Sequence, residues 1–258
     1  MNISQQFAPP FKLVGSFFIS AMIIFFISIL LLFNFDINLI HTQNSLVLSW
    51  VHLYLLGFVM MSIFASMAQL LPVVLEVEHF SIDLYYVVNP LLFMGTTLIF
   101  IGFYKYPMVL SYGGVIVFIS FFIFLFESFL TIKKVKKLNF LSSTVLVANI
   151  FLFLGLVVAI VLSFVYSGVL FLNIKALMLS HIYLVFVGYL GITIISMSYI
   201  LIPMFWLSHS FHSIYLKIAF YKISFGVVLV VFSQIFDLYI FEYLGYFEVL
   251  LGFIFFIY

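Results

Sequence analysis

Eight apolar stretches follow one another along this chain, each about long enough to cross a bilayer and nearly free of charge. They run roughly over residues 13–34, 46–74, 85–104, 107–131, 141–166, 176–207, 216–236 and 243–258. A run of about 20 apolar residues spans the hydrocarbon as a helix. The chain is 67% hydrophobic and 7% charged, more apolar surface than a soluble core requires. The stretches lack the alternation of barrel strands, so helices are the remaining way to satisfy the backbone in lipid. The fold class expected is therefore all-α integral membrane, with eight transmembrane helices. The second and sixth stretches are long, and Pro72 and Pro203 are placed to kink them near their far ends. The opening MNISQQFAPPF has no cleavable-signal pattern, so the first stretch is expected to remain a span.

The charges set an expected orientation. All nine basic residues are lysines, and Lys133, Lys134, Lys136 and Lys137 fall in one loop. The positive-inside rule puts that loop in the cytoplasm, together with the N-terminus, Lys12, Lys217 and Lys222. Lys105 and Lys175 then lie outside, against the trend. A net charge of +1 implies no nucleic-acid partner. The absence of cysteine excludes disulfides and thiolate ligands. Abundant Ile and Phe without Arg suggest an AT-rich bacterial genome, hence the bacterial cytoplasmic (inner) membrane. The partners expected are the lipid bilayer and either a second copy of the chain or a respiratory-complex subunit.

The chain also matches itself without a gap at an offset of 131 residues. Ser49 falls on Ser180, Gly57 on Gly188, Pro72 on Pro203, Gly95 on Gly226, and Gly114 on Gly245. Only 13 Gly and 6 Pro are present, so paired Gly and Pro are hard to obtain by chance. Residues 1–131 and 132–258 are thus expected to form two four-helix repeats of one membrane domain. Four spans per repeat make the two run the same way through the membrane, with a pseudo-axis along its normal. The second repeat reaches Tyr258, the counterpart of Glu127, before any counterpart of the lysine-rich loop.

The repeat brings the histidines to similar depths. His52 and His181 lie near the starts of the two long spans, roughly 8–9 Å below the outer boundary at 1.5 Å per residue. An unpaired imidazole is costly there. His181 aligns with Trp50 and His52 with Tyr183, a stagger of two positions. Two readings stand. In one, His52 and His181 are axial ligands of a haem, which takes neutral imidazole. In the other, each bonds a backbone carbonyl, a Ser or a Tyr across a helix interface.

Near the other membrane face, His209 and His212 form an H-x-x-H that would share one helical face. With His79, at nearly the same place in the first repeat, they would suit copper or another divalent ion. The alternative is an interfacial loop of solvated imidazoles, and Glu76, Glu78 and Asp83 read as part of a solvated loop. His41 falls in an outer loop. Glu127 and Glu248 lie within spans, where a carboxyl is protonated, paired with Tyr or Lys, used in proton movement, or simply interfacial.

The two long spans read HLYLLGFVMMSIFASMAQLLPVV and HIYLVFVGYLGITIISMSYILIPMF. His, then Gly five or seven residues on, then a small, Met-containing stretch, then Leu/Ile-Pro resembles the haem–copper oxidase subunit I superfamily, including small subunit I-like and NnrS-type proteins. The resemblance covers about 25 residues per repeat. It implies four-helix arcs in which histidines near the start of an arc's second helix bind haem or copper. Some members carry H-x-H there; here His181 matches its first position and His52 its second, and neither repeat has both. No copper-site His pair follows in the next span, so the resemblance implies haem b or metal binding without oxygen reduction.

The function expected is that of a membrane haem b protein of respiratory, nitric-oxide or oxygen-related type. Electron transfer, sensing or assembly support are the roles that fit. Two alternatives remain. One is a transporter of a small solute or metal ion, lined by Ser62, Ser66, Gln69, Thr193, Ser196 and Ser198. The other is a cofactor-free scaffold subunit.

Overall fold

The computed structural model describes residues 7–35, 44–207 and 214–257. Among the described residues no strand occurs, and eight helices are long and apolar enough to cross a membrane. They are α1 (Phe11–Asn34), α2 (Ser45–Leu75), α3 (Asp83–Tyr104), α4 (Val109–Lys133), α5 (Phe140–Tyr166), α6 (Ile174–Phe205), α7 (Ile214–Phe236) and α8 (Tyr239–Ile257). The chain is a multi-pass helical membrane protein. The edges agree with the sequence expectation to within a few residues. The largest difference is α8, which begins at Tyr239 rather than at 243 because Glu242 is accommodated inside it. Glu242 accepts bonds from Gln234 Nε2 at 2.8 Å and from the Tyr246 hydroxyl at 2.7 Å.

Polar side chains start several helices. Asn44 accepts from the Leu46 amide at 2.8 Å, and Asn173 accepts from the Lys175 and Ala176 amides. Asn139 and Ser142 bond each other's amides reciprocally at the start of α5. These caps satisfy N–H groups that have no partner within the helix.

The long helices α2 and α6 are not uniformly α. In α2, Leu53–Met60 is π-helical between α segments Ser45–His52 and Met61–Leu75. In α6, Tyr183–Gly191 is π-helical between Ile174–Ile182 and Ile192–Phe205. The segments end at Met60 and Gly191, positions 131 residues apart in the sequence. Both long helices also close on a left-handed residue at the same offset, Glu76 at φ 55° and Leu207 at φ 51°.

The chain divides into two compact units. Unit 1 comprises Met1–Val135 with Ser163–Phe171, and unit 2 comprises Lys136–Leu162 with Leu172–Tyr258. The cut lies four residues beyond the expected 131/132 boundary, and the turn after α5 belongs to unit 1. Contact chemistry accounts for that turn: Gly114 of α4 leaves room for the Ser163 side chain, and Phe103 meets Tyr166 edge-on at 5.4 Å.

In unit 1, α1 lies on α2. Ile24 fills the space that a side chain at Gly57 would occupy, and the Trp50 indole donates to the Ser28 carbonyl at 2.9 Å. The core centres on Phe64, stacked on Phe124 at 3.8 Å and edge-on to Phe121 at 4.9 Å. The α3–α4 hairpin is close: a methyl on Gly113 would lie 2.9 Å from the Ile99 amide nitrogen. In unit 2 the α7–α8 hairpin is equally close, since a methyl on Gly245 would lie 2.8 Å from the Gly226 carbonyl oxygen. Small residues allow such approaches in lipid, where packing rather than water exclusion drives helix association.

Candidate functional site

His52 ends the first α segment of α2, immediately before its π segment. Its Nδ1 stands 2.8 Å from the Leu48 carbonyl oxygen. A carbonyl only accepts, so Nδ1 carries the hydrogen and the neutral ring presents its lone pair at Nε2. The ring is half-buried and stacks on Phe103 at 4.9 Å. His181 stands two residues before the π segment of α6. Its Nδ1 donates to the Gly155 carbonyl of α5 at 3.1 Å. Gly155 permits the approach, because a methyl there would lie 2.5 Å from Val185 Cγ2.

This donor chemistry suits an imidazole that ligates iron. Metal-bound histidines commonly donate the other ring N–H to a carbonyl, which orients the ring and raises its basicity. π-Bulges likewise occur often at functional sites. The glycines of the His-Gly pattern have another use here: Ile24 occupies the notch at Gly57, and a methyl on Gly188 would lie 3.0 Å from Phe151 Cβ. They serve helix packing within each unit.

The most polar arrangement in unit 1 gathers at the other end of α2. Pro72 has no N–H, so the Ala68 carbonyl four residues earlier lacks its usual helical partner. The chain leaves α2 through Glu76, and the Val77 amide closes onto the Pro72 carbonyl at 3.1 Å. That turn delivers His79, whose Nε2 lies 2.7 Å from the Ala68 oxygen. Its Nδ1 lies 2.8 Å from Glu127 Oε1 on α4. The side chains of His79 and Glu127 are 5% and 0% exposed, so this pair is withdrawn from solvent. The same carboxylate oxygen accepts from the Thr131 hydroxyl at 2.6 Å and the Phe80 amide at 3.2 Å. Tyr85 of α3 meets the His79 ring edge-on at 5.3 Å. Lys134 closes the turn from outside, donating to the His79 carbonyl at 2.7 Å and the Glu78 carbonyl at 3.2 Å.

Both ring nitrogens of His79 are therefore engaged by oxygen, and neither presents a lone pair to a metal. Among the described residues no group of three or more His, Asp or Glu gathers as a metal site. His209 and His212, expected beside His79, lie outside the described residues, as does His41. Glu76, Glu78 and Asp83 are exposed, as the sequence suggests.

Sequence reasoning missed the His79–Glu127 pair. The residues are 48 positions apart and share no periodicity. The available signal was Pro72, which predicts an orphaned carbonyl at Ala68 and hence a need for a nearby donor. For Glu248, pairing with a lysine was among the readings, and Lys222 is that partner: their Nζ and Oε2 are 2.8 Å apart between α7 and α8. Two of the small polar residues weighed as a transport path, Ser66 and Ser196, are locally occupied. Ser66 donates to the Ser62 carbonyl of its own helix at 2.8 Å, and Ser196 donates to Thr144 at 2.6 Å.

Compared with protein-family models, curated proteins and solved structures, the chain matches none of them.

Proposed function

We propose that this chain is a membrane haem b protein of respiratory or nitric-oxide/oxygen-related type, with His52 and His181 supplying the axial imidazoles. The observation that carries the reading is their shared local chemistry. Each half-buried ring stands beside a π segment, and each Nδ1 is tied to a main-chain carbonyl. At His52, Nε2 is then the nitrogen that would meet iron. Bound haem would supply one-electron redox chemistry or diatomic gas binding. Electron transfer, sensing and support of respiratory-enzyme assembly are roles within that chemistry. The lysine distribution supports a bacterial cytoplasmic membrane location with the N-terminus inside. The recurrence of the π segments and left-handed caps at the 131-residue offset supports descent by duplication into parallel repeats.

The cofactor-free scaffold reading also has a specific observation in its favour. The notches at Gly57 and Gly188, the glycines of the His-Gly pattern, are filled by Ile24 and Phe151. Visible spectroscopy of the purified protein, produced with ample haem, separates the two readings. A Soret band that shifts on reduction, and is lost or shifted in both His52→Ala and His181→Ala, is the expected result. A colourless protein that co-purifies stoichiometrically with partner subunits supports the scaffold.

A further inference from the structure

We propose that His79 and Glu127 together bind one exchangeable proton, and that this proton holds the turn after α2 closed against α4. The inference stands on donor counting and is independent of haem binding. The Ala68 oxygen only accepts, so the contact at 2.7 Å requires a hydrogen on Nε2. The contact between Nδ1 and Glu127 Oε1 at 2.8 Å requires another hydrogen. A neutral imidazole beside a carboxylate has only one hydrogen for these two contacts. The closed geometry therefore contains one more proton than that neutral-ring, charged-carboxylate combination. It is held as imidazolium–carboxylate or as imidazole–carboxylic acid.

Removing that proton leaves two acceptors facing each other at one contact or the other. If the remaining hydrogen sits on Nδ1, the Nε2 lone pair meets the Ala68 oxygen. If it sits on Nε2, the Nδ1 lone pair meets the carboxylate. Neither arrangement is tolerable at these distances in a dry site. The turn then separates from α4, and the Ala68 carbonyl is again without a donor.

The surroundings fit a titrating element open to one aqueous face. From α4 the ring meets Glu127, with Thr131 donating to the same oxygen. From α3 it meets Tyr85, and from α2 the Ala68 carbonyl. Lys134 lies over the turn and donates to its carbonyls. Glu76, Glu78 and Asp83 are exposed around it. The buried pair is thus one turn of chain away from charged, water-facing groups.

The absence of native cysteine allows a clean test on the full chain. A nitroxide is attached at Glu78→Cys, whose own side chain is exposed, and its mobility is followed from about pH 6 to about pH 10 in nanodiscs. The expected result is an immobilised label at low pH and at least a twofold rise in the mobile fraction as pH increases. In Glu127→Gln, neutral His79 donates to Ala68 and accepts from the Gln amide, so the label stays immobilised throughout. His79→Gln also removes the pH response, and serves if the first variant does not fold. A parent chain whose label does not respond across the range overturns the proposal. So does a response that persists unchanged in either variant.

Discussion

His79 donates to the Ala68 carbonyl at 2.7 Å, the helical acceptor that Pro72 leaves without its ordinary N–H partner. One proline thereby creates the need for a side chain 11 residues from that acceptor, and the resulting ring recruits a buried carboxylate from α4.

This dependence has a thermodynamic signature. In Pro72→Ala the helix regains an N–H for Ala68, so His79→Ala should cost less than in the parent. A double-mutant cycle read by denaturation in detergent should give a coupling of about 1 kcal/mol or more. Additive single changes would show that the proline and the histidine are unrelated.

Glu127→Ala should be among the most destabilising single changes in unit 1. It removes the carboxyl partner of His79 and the acceptor for Thr131 at once, from a side chain with no exposure, and leaves the Phe80 amide only its bond to the Thr131 hydroxyl. A loss of about 3–5 kcal/mol is expected for breaking one side of such a buried pair. Glu127→Gln keeps the shape and some of the bonds and should cost less than Glu127→Ala in the same assay.

Glu76 and Leu207 occupy left-handed backbone at φ 55° and 51°. For L-residues that region costs roughly 1–2 kcal/mol, and glycine is the usual occupant of such helix ends. Glu76→Gly and Leu207→Gly should each raise the thermal midpoint, in contrast to the usual effect of introducing glycine. A fall in both would mean that contacts made by the two side chains outweigh the backbone strain.

The α7–α8 hairpin should be sensitive to side-chain volume where its backbones meet. Gly245→Ala places a methyl 2.6 Å from Val230 Cγ2 and 2.8 Å from the Gly226 oxygen. Overpacking of this kind costs about 1–3 kcal/mol. Gly191→Ala, whose nearest neighbour would be the Phe186 oxygen at 3.9 Å, should be tolerated at far lower cost.

The spans were legible because length and hydropathy determine what crosses a bilayer, and only α8 moved by more than two or three residues at its start. The π segments were not legible. Leu53–Met60 and Tyr183–Gly191 are apolar almost throughout, so an added residue per turn leaves no trace in the hydropathy pattern. The placement of His52 and His181 near the starts of the two long helices followed from the sequence, but not their carbonyl partners. Leu48 lies on the same helix as its histidine, whereas Gly155 comes from a different helix, reached only through tertiary packing. The engagement of His79 was hidden for the same reason. Read alone it is a loop histidine suited to metal, whereas the Ala68 carbonyl freed by Pro72 and the Glu127 carboxyl engage both of its ring nitrogens.

Whether His52 and His181 hold haem is tested most directly by oxidised and reduced visible spectra of the full chain, purified after expression with ample haem. A Soret band with reduced α and β bands, lost or shifted on replacing either histidine with alanine, is the predicted result. A folded, haem-supplied protein without a Soret band, or a spectrum unchanged by both replacements, would contradict it.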